Sequence, residues 1–271
     1  MFNADDYAIS KNISDCINDL SKKNKIYSTS VFSNTPYFNE IKENLISIPV
    51  KKGLHFSLTE GYSLSNSSLL MDEIGFLKYS AKNLYLKYIT GCLNKNLFNQ
   101  IIDEFHSQYD ELSKYCEVEH ISSHEHVHMI PPIYNYLEKF STKNNIRYLR
   151  DFNEDLFTFY NFNDFKNFFY DLNFIKYFLI MFFTKLRKKK INNNIKTYGL
   201  KFSGKLSYKN LEYYINSLKK NEVVDIYLHP GYKTNKKINF KIKDYDRDFI
   251  LSSDRQIEFE AISKYTSNKM I

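Results

Sequence analysis

The chain has 271 residues, with 38 Lys and Arg against 31 Asp and Glu and a formal net charge of +7. This length can bury the core of one large α/β domain. No repeat, flexible linker or nucleic-acid-binding motif accompanies the basic charge, which excludes a repeat protein and argues against a nucleic-acid partner. We therefore expect one domain over residues 1–271.

The cysteines and the N-terminus point to a reducing compartment. Cys16, Cys92 and Cys116 are odd in number and widely spaced, with no CxxC motif. The first six residues already include Asp5 and Asp6, and no apolar stretch typical of a signal peptide follows. These features predict a cytoplasmic protein.

Predicted strands and helices alternate along the chain. The strands are a stub ending at Ala4 and segments at residues 26–32, 48–58, 117–122, 146–149, 197–202 and 223–228, with helices at 10–23 and 95–115 among the segments between them. Strand–helix repetition of this kind is typical of parallel strands joined by crossover helices. It predicts either a barrel or a doubly wound sheet.

Residues 163–195 form an unusual segment. Residues 177–183 are all apolar, and five of the six residues 185–190 are Lys or Arg. Seven apolar residues are too few to span a bilayer, which needs roughly 20. Two interpretations stay open: a packing helix buried against the sheet, or a helix in a membrane interface at the inner face of the membrane.

Ionisable residues collect where predicted strands end, which is where parallel α/β folds bind ligands. Asp5 and Asp6 follow the first strand. Adjacent carboxylates can divide the work of a metal hydrolase, one as a ligand and one as a proton acceptor. Taken alone, the pair is more typical of a cap for the helix that begins near Ser10.

Histidines mark three further strand ends. At strand spacing His124, His126 and His128 would point to one face, and neutral imidazole is a common metal ligand. His55 and His229 each precede a turn at a strand end. An Asp with two His would leave positions open for water and substrate, whereas the alternative is a cluster of hydrogen-bonded core histidines.

At these residues the sequence resembles the YdjC/ChbG-like carbohydrate deacetylase family, including its hopanoid-sugar and lipid-carrier-sugar members. The motifs, in the family's order, are Asn-Ala-Asp-Asp at residues 3–6, Gly-Leu-His-Phe-Ser-Leu-Thr at 53–59, Ser-His-Glu-His-Val-His-Met at 123–129 and His-Pro-Gly at 229–231. The resemblance covers nearly the whole chain. It implies a distorted or incomplete (β/α) TIM-like barrel that removes an N-acetyl group from an amino sugar.

Carried over motif by motif, the resemblance implies that Asp6, His55 and His124 hold a divalent metal ion. Asp5 would be the general base and His229 a general acid or an orienting group. Mg²⁺ is the ion that the family implies, while two imidazoles and a carboxylate would equally suit Zn²⁺ or Co²⁺.

Further residues are expected to bind substrate or to support the metal ligands: Asn3, Thr59, Glu60, His126, His128 and Arg150. A late Arg-x-x-Glu element, Arg255 and Glu258, is too short a pattern to carry a role. The substrate implied is an N-acetylated amino sugar. Residues 163–204 look more like the lipid-linked-sugar branch, which would add a peripheral membrane contact, and a homodimer is compatible with the sequence.

The sequence departs from the family at three points. Only Met1 and Phe2 precede the first motif, so we expect either a barrel open at this strand or a late start. Ala8 stands where a Gly is common, and Ser122 where an Asp commonly supports the metal site.

Two functions stay open as alternatives to a deacetylase. They are a catalytically silent sugar- or lipid-binding barrel and a metal-dependent phosphoesterase.

Overall fold

The computed structural model describes residues 1–187, 195–219, 222–234 and 240–266. Within them, the strands form one sheet: β1 (Phe2–Tyr7), β2 (Ser28–Val31), β3 (Lys51–Phe56), β4 (Val118–Ser123), β5 (Tyr148–Leu149), β6 (Ile195–Tyr198) and β7 (Val223–Leu228). All neighbours are parallel, in the order β5-β4-β3-β2-β1-β7-β6. The carboxyl ends of the strands therefore lie at one edge.

Helices connect the strands. In the same ranges they are α1 (Lys11–Lys22), α2 (Pro36–Ile41), α3 (Ala81–Ile89), α4 (Lys95–Ser113), α5 (Pro131–Lys143), α6 (Phe162–Phe169), α7 (Leu172–Leu186), α8 (Tyr208–Ser217), α9 (Asp244–Leu251) and α10 (Asp254–Lys264), with 3₁₀ helices at Lys42–Ser47 and His124–Met129. Among these, none has the length and apolar character needed to cross a bilayer.

The core follows the expected periodicity. In α4, the apolar stripe Leu97, Ile101, Phe105 and Leu112 is buried, as its spacing along one helix face requires. β1 and β2 are buried at every residue, which is typical of parallel strands covered on both faces.

The sheet curls into an open half-barrel, and the expected distorted or incomplete barrel is confirmed. β5 and β6 are the edges and do not pair with each other in the described ranges. Asn153, in the loop after β5, instead spans the gap: its Oδ1 accepts a hydrogen bond from the backbone N–H of Thr197 at 2.8 Å.

Three predicted elements differ clearly from the structure. The strand predicted at residues 197–202 is β6, which covers Ile195–Tyr198. The first strand does not end at Ala4 but runs to Tyr7, because the Asp pair belongs to β1 itself. In the described part of the segment expected at residues 163–195, two helices, α6 and α7, are separated near Tyr170. Residues 188–194, with the end of the basic cluster, lie outside the described residues.

Candidate metal centre and active site

Asp5 and Asp6 both line one cavity although they are consecutive on a strand. Side chains of neighbouring residues on a regular strand point to opposite faces. Here the pairing of β1 with β2 shifts register between Ala4 and Tyr7, and Asp6 has φ 69°. This bulge allows both carboxylates to face the same space.

Three potential metal ligands converge at this edge of the sheet. His55 comes from β3, and His124 begins the 3₁₀ helix that follows β4. His55 Nε2 lies 3.3 Å and His124 Nδ1 3.6 Å from Oδ1 of Asp6. One ligand atom from each of the three residues lies within 4.8 Å of the others. The three buried side chains can therefore share one ion.

The hydrogen bonds of these residues leave Asp6 Oδ1 and His55 Nε2 available to bind a cation. Asp6 Oδ2 accepts a bond of 2.6 Å from Arg255, whereas the buried Oδ1 has no hydrogen-bond partner among the described residues. His55 Nδ1 is 2.9 Å from the Ser122 hydroxyl, so Nε2 is directed at Asp6. An unpartnered buried carboxylate oxygen between two imidazoles fits a divalent ion.

Asp5 is held as an ionised carboxylate. Arg150 donates to its two oxygens at 2.6 and 3.1 Å, and Asn3 donates to Oδ1 at 2.6 Å. Burial alone would raise the pKa of Asp5, but the Arg150 guanidinium and the His55 imidazole outweigh it and hold that pKa well below its usual range. The same competition, with Arg255 as the main opposing charge, lowers the pKa of Asp6.

His229 follows β7 and faces the carboxylates. Its Nε2 lies 4.0 Å from Asp5 Oδ2. Burial lowers the pKa of His229 to about 3, against the opposing effect of Asp6 and Asp5. The imidazole is therefore neutral at pH 7 in this arrangement.

The Arg-x-x-Glu element of α10 supports two site residues. Arg255 binds Asp6, and Glu258 accepts hydrogen bonds from the backbone N–H groups of His229 and Leu206. Burial raises the pKa of Glu258 to about 7. The spacing of three residues places both side chains on one helix face and is the signal in the sequence that could have identified them as site residues.

The site opens into a cavity of about 560 Å³, within the range of small-molecule sites. The candidate metal centre forms one wall. The other walls come from distant elements and include Tyr170, Asp171, Lys176, Lys205 and Phe249.

Lys176, on α7, was not predicted as a site residue. Its half-buried side chain lines the cavity, and within the described residues its ammonium makes no hydrogen bond or ion pair. Burial lowers the pKa of Lys176, partly offset by Glu125 and the Asp pair. The cavity therefore contains a cation that can meet an oxygen of a bound molecule.

The three histidines after β4 do not share a strand face. β4 ends at Ser123, and Glu125 and His126 have positive φ angles of 48° and 59°. The expectation of strand geometry was therefore wrong here. His124 reaches the metal centre. The His126 ring lines the cavity, and neither of its nitrogens is hydrogen-bonded to the part of the chain that the structure describes.

His128 points elsewhere. Its Nε2 is 3.0 Å from the carbonyl oxygen of Arg150, and its Nδ1 contacts the Ser123 hydroxyl. Burial lowers the pKa of His128 to about 3. The neutral ring fixes the backbone next to Arg150, so it lies beside the site without lining the cavity.

Thr59 and Glu60 lie away from the cavity wall. The Glu60 carboxylate accepts hydrogen bonds from the backbone N–H groups of Gly61 and Lys243, both at 3.0 Å. These contacts tie the loop after β3 to the residues before α9. In this structure the two residues organise loops.

The fold and site define an α/β half-barrel protein with a candidate metal centre at the carboxyl ends of its strands. The chain belongs to the YdjC-like protein family, whose model matches residues 1–270. The resemblance predicted from the four motifs is confirmed.

The chain is also similar to individual proteins in sequence and in fold. Chitooligosaccharide deacetylases of Yersinia pestis (strain Pestoides F) and Yersinia pseudotuberculosis (serotype O:1b) are each 31% identical over 149 residues, covering 53% of this chain and 56% of each relative. The match spans about half the length of these relatives. A solved structure from Enterococcus faecalis, described as a cellobiose-phosphate cleavage protein, has a TM-score of 0.59 over 97% of this chain and 93% of that one, at 16% identity. At this sequence identity, the two proteins are shown to share a fold and nothing more.

Proposed function

We propose that this protein is a metal-dependent hydrolase that removes the N-acetyl group from an amino sugar. One observation carries the proposal: Asp6, His55 and His124 converge, with Asp6 Oδ1 unpartnered, beside the ionised Asp5. The deacetylase activity named for the Yersinia relatives supports the same reaction class.

The residues fit the needs of amide hydrolysis. An ion held by Asp6, His55 and His124 would polarise the carbonyl and acidify a water molecule. Mg²⁺ follows from the family resemblance, and the donor set equally suits Zn²⁺ or Co²⁺. The two imidazole ligands come from β3 and from the 3₁₀ helix that follows β4, whereas His229 follows β7 on the other side of β1. We therefore place the substrate on the β7 side of Asp6.

Asp5 is the proposed general base. Arg150 and Asn3 fix its orientation and keep it ionised, so it can accept a proton from water over a wide pH range. The departing nitrogen must also be protonated. His229 starts neutral and has Asp5 as its carboxylate neighbour at 4.0 Å, so we assign it the transfer of that proton to the amine.

The substrate is proposed to be an N-acetylated amino sugar carried by an oligosaccharide or by a lipid. Chitooligosaccharides are named for the Yersinia relatives. A lipid-linked glycan or glycolipid is favoured by the apolar helix α7, which supplies Lys176 to the cavity. We place the reaction in the cytoplasm, at the inner face of the membrane.

Acetate release tests the proposal. Purified protein is incubated with N-acetylhexosamine oligomers, nucleotide sugars and lipid-linked sugars, after chelation and after addition of Mg²⁺, Zn²⁺ or Co²⁺. Metal-dependent acetate release from one class is expected. Binding of a sugar without acetate release under any metal would indicate a silent binding barrel, and release of phosphate would indicate a phosphoesterase.

A further inference from the structure

Helix α7 has two apolar faces, and the described residues of the chain cover one of them. The buried face consists of Tyr177, Ile180 and Phe183. The opposite face consists of Ile175, Phe178, Phe182 and Leu186, which are 66%, 45%, 53% and 47% exposed. Steps of three or four residues place these side chains in one stripe. The helix is therefore packed on one side and presents a second apolar stripe to solvent.

This stripe continues to the mouth of the cavity. The rings of Phe169 and Phe178 each lie 4.8 Å from the ring of Phe174, which joins the end of α6 to α7. Next to Phe169, Tyr170 is 78% exposed and lines the cavity. We call the exposed set Phe169, Tyr170, Ile175, Phe178, Phe182 and Leu186 the aromatic face.

The charges around this face favour an anionic partner. Residues 157–190 contain seven Lys or Arg and two Asp. Asp171 is paired with Lys205 at 2.8 Å, and Asp164 accepts a hydrogen bond from Asn210. Lys166 and Lys185 are exposed and form no ion pair within the described residues. Free positive charge thus accompanies the apolar stripe.

The basic residues at 185–190 do not all face solvent. Arg187 is buried, pairs with Asp151 and lies 3.7 Å from the ring centroid of Tyr134. It therefore anchors the end of α7 to the half-barrel. This anchoring fixes α7 in place with its aromatic face outward.

We propose that the aromatic face inserts into the interface of an anionic lipid bilayer. Exposed apolar patches of this kind mark interaction sites, and aromatic and aliphatic side chains beside Lys are the composition of helices that lie in a membrane interface. α7 has 15 residues, roughly 22 Å of helix, so it lies on the bilayer. Tyr170 then places the cavity mouth at the headgroups, which, given the proposed function, admits a sugar attached to a membrane lipid.

Vesicle sedimentation tests this proposal with the full-length chain. We expect binding to vesicles of phosphatidylcholine with phosphatidylglycerol, weakening as salt is added, and far weaker binding to phosphatidylcholine alone. Combined Ile175→Ser, Phe178→Ser and Phe182→Ser substitutions should reduce the binding by about tenfold or more. Because these side chains are exposed, circular dichroism and the melting temperature should stay unchanged.

The matched control is the triple substitution Ile46→Ser, Ile74→Ser and Val223→Ser, at positions that are 81%, 61% and 45% exposed and that lie outside α3, α6 and α7. It should bind vesicles like the wild type. Equal losses in both triple variants, or a wild type that stays in the supernatant with anionic vesicles, would overturn the proposal. So would a wild-type dimer that the first triple variant makes monomeric without any vesicle binding, because the face would then join two copies of the chain.

The vesicle-binding experiment can be interpreted whether or not the protein is catalytically active. Asp5→Asn should remove acetate release and keep vesicle binding, because Asp5 lies inside the cavity. Vesicle binding without acetate release from any substrate would refute the proposed function and leave the membrane contact standing. Acetate release without vesicle binding would refute the membrane contact alone.

Discussion

Arg255 Nη2 lies 2.6 Å from Asp6 Oδ2, although 249 residues separate the two along the chain. The guanidinium occupies one carboxylate oxygen, and the other is left facing His55 and His124. A residue of the last described helix thus determines how the first strand presents its metal ligand.

Replacing this guanidinium should weaken metal binding. Arg255→Lys keeps the charge but removes the planar group that orients Asp6, so we expect the affinity for Zn²⁺ or Co²⁺ to fall roughly ten- to hundredfold. Isothermal titration calorimetry measures the change. Arg247→Lys, at a partly exposed arginine of α9, is the matched control, and equal affinities in both variants would refute this role of Arg255.

Substitutions of Asp5 and Asp6 should separate the loss of catalysis from the loss of metal binding. Asp5→Asn removes the proton acceptor and keeps the ligands, so turnover should drop by about 10²–10⁴ with metal content near that of the wild type. Asp6→Ala should lose the metal. Elemental analysis and acetate release on the same samples compare the two, and equal metal loss in both variants would show that the two roles are assigned wrongly.

Ser122 should act through the orientation of His55. Its hydroxyl is 2.9 Å from His55 Nδ1, at the position where the family commonly has Asp. Ser122→Ala frees the ring to rotate, so metal affinity should fall by roughly tenfold. Ser113→Ala, at the exposed end of α4, should leave the calorimetric affinity unchanged; an unaffected Ser122→Ala variant would rule out this orienting role.

Lys176 should contribute to substrate binding. Its ammonium lines the cavity without a partner among the described residues, so a bound oxygen is its natural acceptor. With a water-soluble substrate, Lys176→Met should raise KM by about tenfold and change kcat much less. Lys139→Met, at an exposed lysine of α5, is the control. A fall in kcat at constant KM would instead place Lys176 in the chemical step.

His120 should make the fold sensitive to acid. Burial lowers its pKa to about 3, from about 6.5 in an unfolded chain. As the pH falls below 6.5, His120 binds a proton in the unfolded state but not in the folded state. The free energy of unfolding therefore decreases until about pH 3. Between pH 7 and pH 5 the wild type should lose about 2 kcal/mol more than His120→Asn in urea unfolding. Parallel pH dependences would contradict the neutral, buried state of His120.

Much of the fold was predictable because parallel strands are marked by local apolar runs. The strand predicted at residues 223–228 has the same bounds in the structure. β1 was predicted too short, because Asp5 and Asp6 break the apolar pattern that signals a strand. Their burial depends on Arg150, which follows β5, and on Arg255 of α10, and no local pattern reveals these partners.

The left-handed backbone at Ala8, directly after β1, could not be predicted from the local sequence either. The family commonly has Gly at the position of Ala8, and Ala8 has φ 72°, in the region that favours glycine. Ala8 therefore adopts a backbone conformation that its residue type does not signal. Packing of the fully buried Ala8 holds a conformation that its own preference opposes.

The sequence by itself determined the family, the parallel half-barrel and the candidate ligand set Asp6, His55 and His124, because each lies in a short motif at a strand end. Only the tertiary structure decided which other polar groups join them. It brought Lys176 and Arg255 to the site, and it directed Glu60 into a loop contact. The reason is physical: the direction of a side chain depends on local φ angles and on partners far away in the chain, and neither leaves a periodic trace in the sequence.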